Sequence, residues 1–437
     1  MKRAIVLCIA LVALLMLAMP VLAAPQPSSA ALEFSLTRYL LAWLWPVGVA
    51  LVLVGISEGW SINDVAAMLP LALALAVLCE LLCGYALHYG GAALGAEWEP
   101  FGPGWGLLGS AGWLVSADAV TAELLYDLPR LTVALLAPLV VLRGRGRPWL
   151  RYTVAMACGL VLAPVAGNWV DGGGWLQNLG AGLVDVGLVS LPLVATLATL
   201  GVSLALARPE GLPADDELRP AFLPLHVLLG SMLAWVGWLA LIGQGEGSMA
   251  GAAAALCAVA GALLLSAFYS WLIDGLLDPG LMGRGLLAGL VMTGAMPADG
   301  LALPTAFVLG ALGGLALAPL MHVFDRSLRL REQSGLLAIF GVLGAVALLV
   351  PGLVGSSGIL AGPGQLYVQL VGLAALVVWG GGVPWALTTL FVAAAAWPGL
   401  VRARVAREQA ALEDEPPISE TPADDSSADQ SSTPSGV

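Results

Sequence analysis

Four ionisable residues interrupt the apolar stretches that make up most of this sequence. Each could carry a charge or a proton inside a membrane: Glu80, Asp127, Arg130 and Asp185. Charged side chains in lipid-spanning segments are costly, so they usually face a functional site or pair with one another. Asp127 and Arg130 are spaced i, i+3, which allows an ion pair on one helix face. Glu80 and Asp185 could complete a buried network around that pair.

This predicted group has two interpretations. It could form a polar site for a solute or for protons, or it could be satisfied internally and lock helices together in a protein that no longer transports. The cysteines suggest no further chemistry, because they lie in apolar runs without a cluster of cysteine or histidine partners. We therefore expect no catalytic group, no metal site and no cofactor.

The composition indicates which class of protein must position these residues. Of the 437 residues, 59% are hydrophobic, 11% are charged and 55 are glycine. Too few polar side chains remain to cover a soluble fold of this size, which excludes a soluble enzyme, a disordered protein and a nucleic-acid-binding protein. The net charge of −12 comes largely from acidic residues after position 407, so it says little about a substrate. The sequence predicts an all-α polytopic membrane protein.

The N-terminus has the pattern of a secretory signal peptide. A basic start precedes an apolar run to Pro20 and a group of small residues, which predicts a cleaved peptide of residues 1–23. An uncleaved first span is the alternative. After cleavage, residues 24–35 would form a short extracytoplasmic arm.

Eleven apolar segments, each long enough to cross a bilayer, follow this leader. In lipid each must be helical, because a helix satisfies its own backbone hydrogen bonds. The segments cover residues 36–57, 64–92, 117–142, 148–168, 183–207, 221–243, 250–274, 282–298, 302–324, 334–354 and 366–400.

The arginine distribution predicts the orientation. Most basic residues of the mature chain fall in alternate connections or just after the last span, and the positive-inside rule places such residues in the cytoplasm. The N-terminus would then lie outside and the C-terminus inside, with a transmembrane domain of residues 36–407 in the inner or plasma membrane. Residues 408–437 are rich in proline, serine, threonine and acids, which predicts a disordered cytoplasmic tail.

Four short motifs occur in an order that matches one family of membrane proteins. Residues 164–181 (PVAGNWVDGGGWLQNLGA) resemble the connection between the fourth and fifth spans of the ammonium transporter (Amt/Rh) family. Residues 84–87 (GYAL), 237–241 (GWLAL) and 296–300 (MPADG) resemble motifs of its second, sixth and eighth spans. The start of the tail is similar to the acidic start of the family's C-terminal segment.

The resemblance implies an eleven-helix pore built as a five-plus-five inverted repeat plus one helix, normally a homotrimer. Such a pore recruits ammonium at an outer aromatic site, passes it beneath two stacked phenylalanines and conducts it past two facing histidines. Cation–π contacts and paired imidazoles suit a cation that loses its hydration and a proton that must be relayed. Family tails also bind a trimeric P-II-type signalling protein, which makes such a protein an expected partner.

This chain departs from the family at nearly every position that carries ammonium chemistry. The outer tryptophan falls on Asp171, the phenylalanine gate on Leu128 and Leu241, the two pore histidines on Leu191 and Leu337, and a buried structural aspartate on Leu183, while Trp238 is an aromatic that the chain retains. The three histidines of the chain (His88, His226 and His322) fall near span ends, so none can replace the pair.

We therefore expect a family scaffold that conducts ammonium poorly, or not at all, by the usual electrogenic route. Three alternatives remain open: a channel for a neutral gas, a non-transporting scaffold or sensor that acts through its tail, and a subunit that mixes into trimers with an intact transporter.

Overall fold

The computed structural model describes residues 35–57, 61–91, 97–115, 121–145, 147–185, 187–206, 221–242, 248–297, 300–330, 333–354 and 364–395. The predicted signal peptide, all but the last residue of the predicted arm and the predicted tail lie outside these residues. The chain divides into a large unit, Met1–Thr389, and a small one, Leu390–Val437, of which only the end of the last helix is described.

Eleven helices of fifteen residues or more make up most of the described residues. In chain order they are α1 (Leu36–Ile56), α2 (Ile62–Tyr89), α3 (Ala122–Val141), α4 (150–170), α5 (Ser190–Ala205), α6 (Pro224–Leu241), α7 (Ser248–Asp274), α8 (Pro279–Thr293), α9 (Leu303–Ser327), α10 (Leu337–Val354) and α11 (Gly364–Ala395). Two short antiparallel strands, β1 (Glu97–Trp98) and β2 (Leu108–Gly109), pair Glu97 with Gly109 between α2 and α3.

Nine helices in the described part of the chain are long and apolar enough to cross a membrane. The other two are shorter: α5 has 16 residues and α8 has 15. The structure thus confirms an all-α polytopic membrane protein with the eleven helices predicted from the apolar segments.

The fifth helix begins later than its apolar segment predicts. Residues 183–207 are predicted as one span, but α5 begins at Ser190. The preceding residues form turns that include Gly182 and Gly187, whose φ angles of 78° and 75° suit glycine and not a helix. Asp185 is therefore placed in a turn before α5, whereas the sequence places it in the fifth span.

The first and sixth helices approach closely because glycines line their contact. A methyl group added at Gly48 of α1 would lie 2.7 Å from Ala234 Cα of α6, and one added at Gly230 would lie 2.8 Å from Leu51 Cβ. Small residues allow such backbone contact where lipid provides no hydrophobic force between helices. This contact joins the first helices of the two halves of the predicted repeat.

The end of the bundle where α2 and α4 end, here called the upper end, is covered by the segment between α2 and α3. Trp169 Nε1 donates to Leu107 O at 2.7 Å, and Trp175 N donates to Gly106 O at 3.0 Å. From α11, Gln369 Nε2 donates to Val184 O at 3.0 Å in the connection that precedes α5. These contacts hold the connections of the upper end against the helices.

At the opposite end, charged residues join α2, α4 and the connection that follows α3. Asp64 Oδ2 lies 2.8 Å from Arg143 Nε and 3.0 Å from Arg151 Nη1. The Asp64 side chain is 33% exposed, so this ion-pair group is partly solvated.

Candidate functional site

A buried histidine lies between two carboxylates at the upper end. His88 Nδ1 is 3.0 Å from Asp127 Oδ2, and His88 Nε2 is 2.7 Å from Asp171 Oδ1. The side chains of His88 and Asp127 are 1% and 0% exposed, whereas that of Asp171 is 23% exposed. Tyr89 stacks on the imidazole, with ring centroids 3.8 Å apart. His88 thus connects the partly exposed carboxylate of Asp171 with the fully buried carboxylate of Asp127.

Arg130 is the second basic group at this site. It pairs with Asp127 on its own helix, its Nη1 lies 3.4 Å from Asp171 Oδ2, and its Nη2 donates to Tyr89 Oη at 3.3 Å. The ion pair that the i, i+3 spacing allows is therefore present. His88, Asp127, Arg130 and Asp171 are called the ionic quartet below.

The ends of three helices position the ionic quartet. His88 is the penultimate residue of α2, Asp127 and Arg130 lie in the first half of α3, and Asp171 directly follows α4. Within α2, a π-helical turn at Glu80–Gly84 precedes the last α-helical residues. Such turns add a residue to one turn and so rotate the side chains that follow.

Close approach of α4 to α2 depends on glycine and asparagine. A methyl group at Gly167 would lie 2.5 Å from His88 Cε1, so a larger residue would collide with the imidazole. Asn168 Nδ2 donates to His88 O at 2.7 Å. The segment 164–181 that resembles the family thus packs directly on the end of α2.

The turn before α5 covers the ionic quartet from the other side. Gly187 has a φ of 75°, and a methyl group on it would lie 2.8 Å from Asp171 Oδ2 and 3.1 Å from Arg130 Cζ. The backbone therefore touches the ion pair where no side chain would fit.

Glu80 and Asp185 are buried but do not join the ionic quartet by hydrogen bonds. The carboxylate of Asp185 accepts a hydrogen bond from Ser190 N at 3.0 Å and so caps α5. Glu80 is 2% exposed, and its Oε2 has no hydrogen-bond partner within the described ranges. The sequence thus identifies two of the four quartet members as a charge pair, and the network around them contains His88 and Asp171 in place of Glu80 and Asp185.

The predicted histidine positions are packed in the core. Leu191 and Leu337 are each 1% exposed. Methyl groups at Gly344 and Gly341 of α10 would lie 3.8 Å from Leu193 Cδ1 and 3.2 Å from Thr196 Cγ2 of α5, which sets an antiparallel register between these helices.

Leu191 lies near the start of α5, and Leu337 is the first residue of α10. Their match to the family's two histidine positions stays a prediction. Leu183, at the predicted position of the family's structural aspartate, is also buried, at 6% exposed.

The remaining predicted pore residues differ in burial. Leu128 and Leu241, at the gate positions, are partly buried. Trp238 is 1% exposed and packs edge-to-face on Trp45, with ring centroids 5.0 Å apart. Trp238 lines a cavity of about 20 Å³ near Thr293, formed mostly by apolar residues of α7 and of the connection between α8 and α9. This is room for about one water-sized molecule.

All three histidines of the chain lie in described residues, so their positions can be compared directly. His226 is exposed near the start of α6, and His322 Nδ1 lies 2.9 Å from Ala318 O within α9. His88 alone is buried among charges. No two histidines form a pair.

The sequence does not identify His88 as a site residue, and it identifies Asp171 only as the position of the family's outer tryptophan, although a topological signal for both exists. Both lie at the ends of predicted spans that exit on the same side as the start of the third span, which contains Asp127 and Arg130. Neighbouring helix ends on one side of a membrane meet, so ionisable residues there are candidates for one group.

Comparisons with known proteins agree with this architecture. The model of the Ammonium Transporter Family matches residues 34–414. The ammonium transporter of Aquifex aeolicus (strain VF5) is 30% identical over 363 residues, which are 78% of this chain and 82% of that protein. Among solved structures, the Sensor Amt Protein matches with a TM-score of 0.70 and 15% identity over 81% of this chain and 91% of its own. Mep2 of Candida albicans matches with a TM-score of 0.66 and 19% identity over 84% of both chains. The chain belongs to the ammonium transporter family.

Proposed function

We propose that this protein is a multi-pass protein of the inner or plasma membrane that keeps the ammonium transporter scaffold without the family's twin-histidine conduction. Its N-terminus would lie outside after signal cleavage and its C-terminus in the cytoplasm. Family membership favours transport of ammonium or ammonia. The residues of this chain favour the loss of electrogenic ammonium transport.

The position of the histidines supports this proposal most directly. A proton relay through a hydrophobic lumen needs imidazoles that face one another, because a bare charge is costly there. This chain has three histidines, and none lies near another: His88 contacts two carboxylates, His322 a helix carbonyl, and His226 is exposed. Leucine occupies the matching positions of the core.

Uptake of labelled methylammonium tests the proposal. The protein is expressed in cells that lack other ammonium transporters, and uptake is compared with that of the Aquifex aeolicus ammonium transporter at equal membrane abundance. We expect uptake no higher than in cells with empty vector. Robust saturable uptake would contradict the loss of conduction.

A channel for uncharged ammonia or carbon dioxide is a second candidate. The apolar residues at Leu191 and Leu337 favour it, because a neutral gas needs neither a charge relay nor a cation site. Proteoliposomes with the wild type should then show a faster stopped-flow pH change than those with a Leu191→Trp variant. Equal rates, at equal protein content, would exclude this candidate.

A non-transporting scaffold or sensor is a third candidate, from a different class. The ionic quartet favours it, since a buried, mutually paired group locks helix ends together. Removal of residues 408–437 should then abolish the cellular phenotype, while substitutions at Leu191 should be silent.

The partners would be a second and third copy of this chain in a homotrimer, a P-II-type signalling protein at the tail, or an intact ammonium transporter subunit. Co-purification from membranes distinguishes the last of these.

A further inference from the structure

Hydrogen-bond chemistry sets the proton content of the ionic quartet. His88 Nε2 forms a hydrogen bond with Asp171 Oδ1 at 2.7 Å, and His88 Nδ1 makes an ion-pair contact with Asp127 Oδ2 at 3.0 Å that is not aligned as a hydrogen bond. Ionised carboxylates only accept hydrogen bonds, and a neutral imidazole has one donor, so one of the two contacts would then bring two acceptors together. An imidazolium has an N–H on both nitrogens, so neither contact places a lone pair against a carboxylate.

Charge balance leads to the same result. With an imidazolium, two cations (His88 and Arg130) face two carboxylates (Asp127 and Asp171), and the ionic quartet is neutral. Without that proton, the group has a net negative charge among side chains that are 9% exposed or less, except for Asp171 at 23%. An uncompensated charge in such surroundings is strongly destabilising.

The other ionisable groups near the imidazole do not supply a further cation. The groups that face His88 or lie within electrostatic range of the quartet are Glu80, Tyr85 and Tyr89 on α2, Asp127 and Arg130 on α3, Asp171 after α4 and Asp185 before α5. Apart from Arg130 and the two phenols, all of these are carboxylic acids. They favour a proton on His88.

The proton also joins separate parts of the fold. Asp171 directly follows α4 and begins the turn that leads to the short helix Trp175–Asn178, whereas His88 lies on α2 and Asp127 on α3. Apart from the bond to His88, the carboxylate of Asp171 contacts one other side chain among the described residues, that of Arg130 at 3.4 Å. Loss of the proton would therefore weaken the shorter of the two contacts that the Asp171 carboxylate makes with α2 and α3.

We propose that His88, with Asp127 and Asp171, forms a binding site for a single proton, and that the bound proton holds the turn 171–174 against α2 and α3. The partly exposed Asp171 gives the site access to protons from the upper end. This role is independent of the proposed function, because it requires no conduction through the lumen. At alkaline pH the proton leaves and the turn is released.

Solid-state NMR of the full-length protein in proteoliposomes, labelled with ¹⁵N-histidine, tests the protonation state. The three histidines give three sets of ring signals, which His226→Gln and His322→Gln variants assign without altering the site. We expect both His88 nitrogens to be protonated at pH 7.5. A neutral His88 with one bare nitrogen at this pH would overturn the proposal.

Hydrogen exchange of the same samples tests the structural role. After correction for the pH dependence of chemical exchange, amides of residues 168–178 should exchange about tenfold faster above the pH at which His88 loses its proton. Asp171→Asn should move both the loss of the His88 proton and the increase in exchange to lower pH. Asp64→Asn, a matched change at the opposite end of α2, should move neither transition. If the amides of residues 168–178 exchange at the same corrected rate below and above the pH at which His88 loses its proton, the proposed link between this proton and the turn would be overturned.

Discussion

At the scale of single residues, the environment of Asp127 decides how the upper end is held. Asp127 is fully buried and contacts two basic groups, Arg130 on its own helix and His88 on α2. A buried pair of this kind adds little net stability compared with apolar residues, but removal of one partner leaves a charge without compensation. The stability of this region therefore depends more on completeness of the ionic quartet than on any one contact.

Arg130→Gln should destabilise the protein strongly. The change leaves the carboxylates of Asp127 and Asp171 with a single basic partner, and we expect a loss of about 3–5 kcal/mol of unfolding free energy. Thermal unfolding of the purified protein, followed by tryptophan fluorescence, measures the effect as a lowered melting temperature.

Arg143→Gln is the matched control. Asp64 keeps its second partner, Arg151, and the pair is partly exposed, so we expect a cost of about 1 kcal/mol or less. Equal decreases in melting temperature in the two variants would show that burial does not make the ionic quartet more important for stability than the partly exposed ion pair.

At the scale of elements, helix contacts in this protein depend on glycine. At Gly48 the backbone of α1 touches that of α6, and at Gly310 and Gly314 the backbone of α9 approaches α7 at Ala258 and Ala262. Dispersion attraction between the closely packed backbones stabilises such helix pairs, and this attraction is lost when a side chain separates the helices. Alanine at these positions would therefore separate the helices and weaken their contact, although alanine favours a helix more than glycine does.

Gly48→Ala should weaken the contact between α1 and α6. The added methyl would lie 2.7 Å from Ala234 Cα, which forces the helices apart at a cost of about 1–3 kcal/mol. The melting temperature in detergent should fall. Gly382→Ala in α11 is the control, since nothing lies within 4 Å of its added methyl and alanine favours a helix. A melting temperature that falls equally in both variants would contradict the packing argument.

At the scale of the whole molecule, the scaffold and the conduction chemistry are separable. The matched family model spans residues 34–414, although the sequence motifs predict leucine at the positions of the family's histidines and gate. Helix packing needs apolar side chains of suitable volume, and leucine meets this need as well as histidine or phenylalanine does. The fold can therefore persist where the chemistry of the lumen has changed.

Removal of residues 408–437 should leave the transmembrane part intact. This segment is acidic and has few apolar residues, so it has little to contribute to a membrane-embedded core. We expect the truncated protein to melt at the same temperature as the full chain and to give the same number of subunits by native mass spectrometry. A smaller number of subunits in the truncated protein would show that the tail takes part in assembly.

Much of the fold follows from the order of residues alone. Apolar segments of span length can only be helices in lipid, so the number of helices and the bounds of α3, α6 and α7 agree with prediction to within a few residues. The start of α5 does not, because Gly182 and Gly187 interrupt an apolar segment that hydropathy treats as continuous. Hydropathy measures transfer to lipid and takes no account of backbone angles.

By itself, the sequence determined the membrane class, the eleven helices, the lack of a histidine pair and the local ion pair of Asp127 with Arg130. Each of these depends on composition or on spacing along one helix. Only the tertiary structure decided that His88 and Asp171 complete this group while Asp185 caps α5. The contacts of His88 with Asp127 and Asp171 join different helices or helix ends, more than 35 positions apart, and depend on glycines at the crossings that let the helix ends meet.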